Sequence, residues 1–317
     1  MSALMSRALK WHRPLMIFTL AMVVLAVATT IGLFVDDRQL DGAPIWAKPL
    51  KFSVSLAVYA FTWGWLFSLS TRARRTRWWL GTVLAAAGVI EIAIIVFQAA
   101  QGHRSHFNVS SPLDITLFSI MGTTIAVLML ANILSAVLVL AVRQADDVTT
   151  WALRIGLVVS AVGIGFGALM LGPTPAQSQG LIEGAIGAHT VGLPDGGPGL
   201  PILGWSTVGG DLRVPHFVGM HALQFLPLFA MMLLALAGRL PALADETVRV
   251  RLVLIMGGAY AAFVALVTWQ ALRGQSFVRP DGATLAILAL IVIAAAAASA
   301  TALRQGKVGL TRSKVSV

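Results

Sequence analysis

Eight apolar runs, each about 20 residues long, dominate the chain: about 15–35, 50–70, 79–100, 113–142, 151–172, 216–237, 251–272 and 282–303. An α-helix rises about 1.5 Å per residue, so each run matches the roughly 30 Å of hydrocarbon in a bilayer. Strands of a membrane barrel would instead alternate polar and apolar residues over about ten positions, and no such alternation is present. Only 11% of the residues are charged and 57% are hydrophobic, whereas a soluble domain carries about a quarter charged residues. The expected fold is all-α: a polytopic helical membrane protein with about eight transmembrane helices, in a bacterial-type cytoplasmic membrane.

The net charge of +10 raises nucleic acid as a partner, and its distribution argues against one. The basic residues lie in "TRARRTRWW" (71–79), "AVRQADDVTTWALR" (141–154) and "GRLPALADETVRVRL" (238–252). They also lie at the N-terminus (Arg7, Lys10, Arg13) and in the tail (Arg304, Lys307, Arg312, Lys314). With eight spans all five segments fall on one side, which the positive-inside rule makes cytoplasmic, with both termini inside. No basic surface interleaved with aromatic residues supports nucleic-acid binding. The absence of cysteine excludes disulfides, thiolate metal sites and iron–sulfur clusters. A basic start, an apolar run and "AVA" at 26–28 resemble a signal peptide. The run continues to Val35, however, long enough to span, and is read as a retained helix.

The cytoplasmic links are short, whereas the third outer segment, 173–215, runs about 43 residues. A loop of that length is disordered or functional. Its Gly and Pro punctuation alternates with Leu, Ile, Val, His and Trp205, the pattern of a packed extracytoplasmic cap rather than a flexible linker. Spans three and seven end alike, "FQAAQGHRSHF" (97–107) against "WQALRGQSF" (269–277). Spans two and six begin alike, "PLKF" (49–52) against "VPHF" (214–217). The matching order suggests a parallel 4+4 duplication, with repeats at 1–145 and 146–317 of one membrane domain and an axis along the membrane normal.

Ionisable groups inside or against a membrane are costly and mark functional sites. Five of the six histidines fall on the outer side: His103, His106, His189, His216 and His221. Only His12 lies inside. Lys48, Lys51, Arg104, Arg213 and Arg273 also lie outside, against the topological rule. They are candidates to neutralise cofactor carboxylates or an anionic ligand, or to pair with the outer carboxylates Asp36, Asp37, Asp41, Asp114 and Asp211. On one continuous helix His216 and His221 stand about 140° apart, so they do not form an i, i+4 metal clamp. His103 and His106 can chelate from one turn. These four histidines are the candidate metal ligands, and imidazole without thiolate suits haem b, copper, zinc or nickel. The plainer reading of His216 and His221 is a cap on an outer helix end.

Glu91 sits nine or ten residues below the outer end of span three, near mid-membrane. An ionised carboxylate there is costly, so it must be protonated or paired. Gln98 stands seven residues on and roughly in line, forming with Gln101 or His103 a polar stripe from the surface inward. Such a stripe serves a proton relay or a ligand cavity. The plainer reading is a neutral Glu91 hydrogen-bonded through Thr123 or Ser135. Gln270 and Arg273 end span seven with a second amide and a fixed cation able to hold a propionate, phosphate or carboxylate. Snorkelling of Arg273 to the headgroups beside Trp269 is the plainer alternative.

No Walker sequence, glycine fingerprint or soluble ATPase domain is present, which excludes an ATP-driven pump acting alone. "GWSTVGG" (204–210) lacks the strand–turn–helix context of a nucleophile elbow. Four readings follow. The first is haem b or metal binding for redox chemistry, with Arg104, Arg213, Arg273, Gln270 and Lys51 holding cofactor, quinone or anionic substrate. The alternative is a proton-coupled transporter of a small or anionic solute that uses Glu91 and Gln98. An enzyme acting on lipid-linked material and a scaffold for an extracytoplasmic partner protein complete the set.

Overall fold

Helix α1 (Arg13–Val35) starts where the chain supplies a cap: His12 accepts the Leu15 N–H on Nδ1 and reaches the Trp78 carbonyl with Nε2 at 2.9 Å. The two roles fix one tautomer, with the proton on Nε2. This is a computed structural model, and it describes residues 8–70, 72–144 and 146–315. Arg7 lies outside the described residues, as do the side chains of Lys307, Arg312 and Lys314.

The helices that follow are α2 (Ala47–Ser68), α3 (Arg74–Gln101), α4 (Pro112–Leu140), α5 (Asp147–Gly165), the short α6 (Pro175–Ser178), α7 (Arg213–Met220), α8 (Ala222–Leu236), α9 (Glu246–Leu272) and α10 (Gly282–Val315). Polar N-caps set several starts: Ser111 accepts from Asp114 N, Asp146 from Thr149 N and Asp245 from Thr247 N, each satisfying one orphan amide of a first turn. Pro112 and Pro175 occupy first helical positions, where a missing N–H costs nothing. Among the described residues seven helices are long and apolar enough to cross a bilayer, or eight if α7 and α8 count together.

The sixth run, 216–237, is the one that departs from expectation. It folds as two helices bent by 41° with His221 between them, rather than as one continuous span. His216 lies within the first of these helices and His221 caps it, still donating to Phe217 O, so the bend falls after the pair. The break leaves carbonyls without helical partners, and one of them, Val218 O, accepts the Tyr260 hydroxyl of α9 at 2.6 Å. Downstream, Pro227 lies inside α8 and offers no N–H to the preceding turn.

The chain divides into two compact units, Met1–Val142 with Met170–Val208 and Arg143–Leu169 with Gly209–Val317. In the first unit α1 packs on α2 and α3, α2 on α3, and α3 on α4. Large side chains of α1 nest over glycines of its neighbours, Met16 over Gly64 and Phe18 over Gly88. In the second unit α5 packs against α7, α8 and α9, and α9 against α10. A Cβ added at Gly163 would lie 2.4 Å from the Gly219 carbonyl carbon. The backbones of α5 and α7 touch there, as small residues permit.

Residues 170–208 belong to the first unit and cover one of its ends. Val109 donates to Gly184 O, Ile186 to Phe107 O and Lys51 to Leu203 O, so the segment is tied to the α3–α4 loop and to the start of α2. Seven residues of the expected 173–215 cap, 209–215, belong instead to the second unit. A two-stranded ribbon, β1 (Gln39–Leu40) with β2 (Ala43–Pro44), lies between α1 and α2.

Candidate functional site

Lys48 enters at the second residue of α2 and donates from Nζ to His106 Nδ1 at 3.1 Å, with Ser105 Oγ 3.0 Å from the same nitrogen. An ammonium can only donate, so Nδ1 is the acceptor and His106 carries its proton on Nε2. Burial, Lys48 and His189 hold the His106 pKa well below the usual imidazole value. The ring is thus neutral. Phe107 stands edge-on between this pair and the covering segment, its ring 4.9 Å from that of His189.

His189 Nδ1 meets Asp195 at 2.7 Å, and the same carboxylate accepts the backbone amides of His189 and Thr190. Burial pushes the Asp195 carboxyl up. The His189 ring and these amides outweigh that effect and leave it below the ordinary carboxylate range. Arg104 pairs with Asp41 across the loop, Nε to Oδ2 at 2.8 Å, and the charge of Asp195 also acts on it. Lys48, His106, His189, Asp195, Arg104 and Asp41 therefore form one charged network at the covered end of this unit.

Glu91 lies below that network on α3. It is 3% exposed, and neither carboxylate oxygen has a hydrogen-bond partner. The charge of Lys48 is the one that acts on it. The partners expected from the sequence are occupied elsewhere: Thr123 Oγ1 donates to Ser119 O and Ser135 Oγ to Ala131 O, both one turn back on α4. Gln98, on the same row of α3, gives its amide N–H groups to Arg104 O at 3.1 Å and Asp114 Oδ1 at 2.7 Å, while its Oε1 is unpartnered. Asp114 also accepts the Ser111 hydroxyl. His103 is exposed and stands 3.9 Å from Asp114. The stripe read from the sequence is buried at Glu91 and Gln98 and exposed at Gln101 and His103, and α2 supplies Lys48 and the α3–α4 loop His106 beside it.

In the second unit His216 Nδ1 lies 2.8 Å from Gly163 O, a carbonyl at the end of α5 that has lost its helical partner. His216 thereby engages the last turn of a neighbouring helix rather than a loop. His221 terminates α7 and engages Gln224 Oε1 through Nδ1 at 3.3 Å. Gln270 donates to Ser276 O at 2.8 Å, as Gln98 does to the carbonyl six residues beyond it. Both helices end at a glycine in the left-handed region, Gly102 and Gly274, which accommodates the reversal that lets each amide reach its loop. Arg273 stacks 3.7 Å from the Trp269 ring centroid and pairs with Asp281, drawing that carboxyl below its usual range.

The cations expected to receive an anion are engaged inside the chain. Arg38 clamps Asp36 and Arg213 clamps Asp211 with the same three bonds: backbone N–H and Nε to Oδ1, and Nη2 to Oδ2. Lys51 reaches Leu203 O. Among the described residues no group of three or more His, Asp or Glu side chains is arranged to hold a metal ion. His103 and His106 face different partners, Asp114 and Lys48, and His216 and His221 do likewise. Sequence reasoning passed over Asp195 and the pairing of Lys48. The six-residue His189-to-Asp195 spacing around a Gly-Leu-Pro turn was the available signal. Comparison with known proteins finds no matching family model, curated protein or solved structure.

Proposed function

We propose that the chain is a polytopic membrane protein with both termini cytoplasmic, and that its first unit performs proton-coupled transport of a small solute. Glu91 is the group that takes up and releases the proton. One observation carries this reading: a carboxylate buried at mid-helix without a hydrogen-bond partner, under a network of Lys48, His106, His189 and Asp195. A structural carboxylate would be expected to have a partner that stabilises one protonation state. The commitment of Arg38, Arg104, Arg213 and Arg273 to internal carboxylates favours a solute other than an anion gathered by those residues. The matched ends of α3 and α9 favour an internal duplication in which only the first copy carries the titrating carboxylate.

The test is proton flux into vesicles reconstituted with purified protein. Glu91→Gln should abolish flux driven by an imposed pH step. Flux at the wild-type rate in that variant would end the reading.

A second reading, a haem b, copper or zinc redox centre, is favoured by His221. Its Nδ1 is held by Gln224, as the outer nitrogen of a metal-bound imidazole is held by a neighbour. An absorption spectrum before and after dithionite reduction, with elemental analysis, tests it. A Soret band or stoichiometric metal supports this reading, and a colourless, metal-free protein removes it.

A further inference from the structure

Arg77, Leu84, Glu91 and Gln98 recur every seven residues on α3, and each is 6% exposed or less. A seven-residue step returns to within about 20° of the same face, so the four form one row. At 1.5 Å per residue the row runs about 30 Å, the thickness of the hydrocarbon. It is turned about 100° or more away from the exposed Trp79, Ile90 and Phe97. Three of its four members have a buried polar atom without a hydrogen-bond partner: Arg77 Nε, both Glu91 oxygens and Gln98 Oε1.

Where the row is apolar, at Leu84, α2 fills the gap. Helix α2 runs antiparallel to α3, and the two are pinned at one end by Arg77 Nη1 donating to Phe67 O at 3.0 Å. From that end, Trp63 and Tyr59 stand at heights between Arg77 and Glu91. They project opposite to the exposed Val54, Val58 and Phe61. Their rings meet edge-on at 6.5 Å, and the buried Trp63 Nε1 and Tyr59 hydroxyl face each other with no further hydrogen-bond partner. Helix α4, packed on α3, adds the buried Asn132 and Thr124. Five of the six residues that carry such atoms among the described residues therefore line the interior of this one unit.

Buried polar atoms are satisfied by protein or by water, and clusters of them are characteristic water sites. We propose that the α2–α3 seam of the first unit is a hydrated cleft connecting Glu91 to the Arg77 end, lined by Tyr59 and Trp63. This inference rests on the proton-coupled reading and supplies its second half-path. A proton arriving from the Lys48–His106 side binds a Glu91 oxygen. Glu91 then releases it to water in the cleft, with only O–H bonds exchanged and Tyr59 unchanged after each passage. The fixed charge of Arg77 at the mouth raises the barrier to hydrated cations, as an arginine does in water-filled pores.

Two measurements on the full chain in phosphatidylcholine vesicles test the proposal. Single cysteines in this cysteine-free chain report water, because the thiolate that reacts with a charged methanethiosulfonate forms only where water reaches it. Tyr59→Cys and Leu84→Cys should react about tenfold faster or more than Val58→Cys and Ile90→Cys. Equal inertness at all four positions would show a dry seam and overturn the proposal. In the flux assay, Tyr59→Phe should slow proton entry severalfold and Arg77→Gln should raise it. Loss of flux in Glu91→Gln with wild-type flux in Tyr59→Phe and Arg77→Gln would reject the cleft as the path and leave the Glu91 reading intact. Wild-type flux in Glu91→Gln would reject that reading, while the labelling would still decide whether the seam is wet.

Discussion

Lys48 holds His106 as a neutral imidazole: the ammonium donates to Nδ1 at 3.1 Å across 58 residues of chain. Protonating that ring would set two cations against each other beside His189. Its folded pKa lies well below 6.5, so below pH 6.5 the unfolded chain binds the proton that the folded chain refuses. Stability rises with pH wherever the unfolded state binds more protons. It should be fully present above pH 6.5 and decline as pH falls below it. His12 is also lowered, by burial, and contributes in the same direction. Thermal melts between pH 5 and 8 should show the decline, and His106→Gln should flatten it more than a control without the substitution. An unchanged slope in that variant would assign the effect to His12.

Asp195 governs a lower pH range. Its folded pKa lies below the model-compound value of 3.8 because the His189 ring and two amides overcome the burial that pushes it up. The stabilisation is present above 3.8 and is lost as pH falls through the folded value. Asp195→Ala should therefore loosen the covering segment even at neutral pH, by about 1–3 kcal/mol for a charge-accepting hydrogen-bond centre. Hydrogen exchange of the amides of His189 and Thr190, which donate to it, should accelerate. Unchanged exchange at both amides would show that the segment is held instead by the bonds of Val109 to Gly184 O and of Ile186 to Phe107 O.

At Gly163 the requirement is for space. A Cβ at Gly163 would lie 2.4 Å from backbone atoms of Gly219 and Met220, and one at Gly219 would lie 2.6 Å from Gly163 Cα. Backbone cannot rotate away as a side chain can. Either alanine should force α5 and α7 apart, with overpacking of this kind costing about 1–3 kcal/mol or more. Gly122→Ala and Gly258→Ala meet nothing within 4 Å and should be neutral or slightly stabilising, since alanine favours helix over glycine by about 1 kcal/mol. Melting temperatures of the four variants in detergent decide the point, and equal effects would remove the close crossing.

The helices were legible because run length and bilayer thickness are one constraint: seven of the apolar runs became helices long enough to span. The break at His221 was not. Proline is the usual sign of one, but Pro227 lies six residues further on, inside α8. Glu91 stood out because a carboxylate in an apolar run has a large transfer cost. Tyr59 and Trp63 did not, since aromatic residues in a span read as apolar filling until their polar atoms are found buried. The outer cations invited a ligand because their carboxylates are supplied by loop folding. Even so, the Asp-x-Arg spacing of Asp36–Arg38 and Asp211–Arg213 was a local sign of mutual pairing.

Orientation remains the premise on which the proton path has a direction, and single cysteines measure it. Ser178 lies in the covering segment and Thr76 at the start of α3, and both are exposed. The proposed orientation, taken from the excess of Lys and Arg in the links near Thr76, puts that end in the cytoplasm. Ser178→Cys in intact cells should react with a membrane-impermeant maleimide, and Thr76→Cys should react only after the membrane is opened. Reversed labelling would turn the molecule over. The Arg77 mouth would then face outward, and the Lys48–His106 network would deliver protons from the cytoplasm. The chemistry at Glu91 would be unaltered, but the positive-inside argument would have failed for this chain.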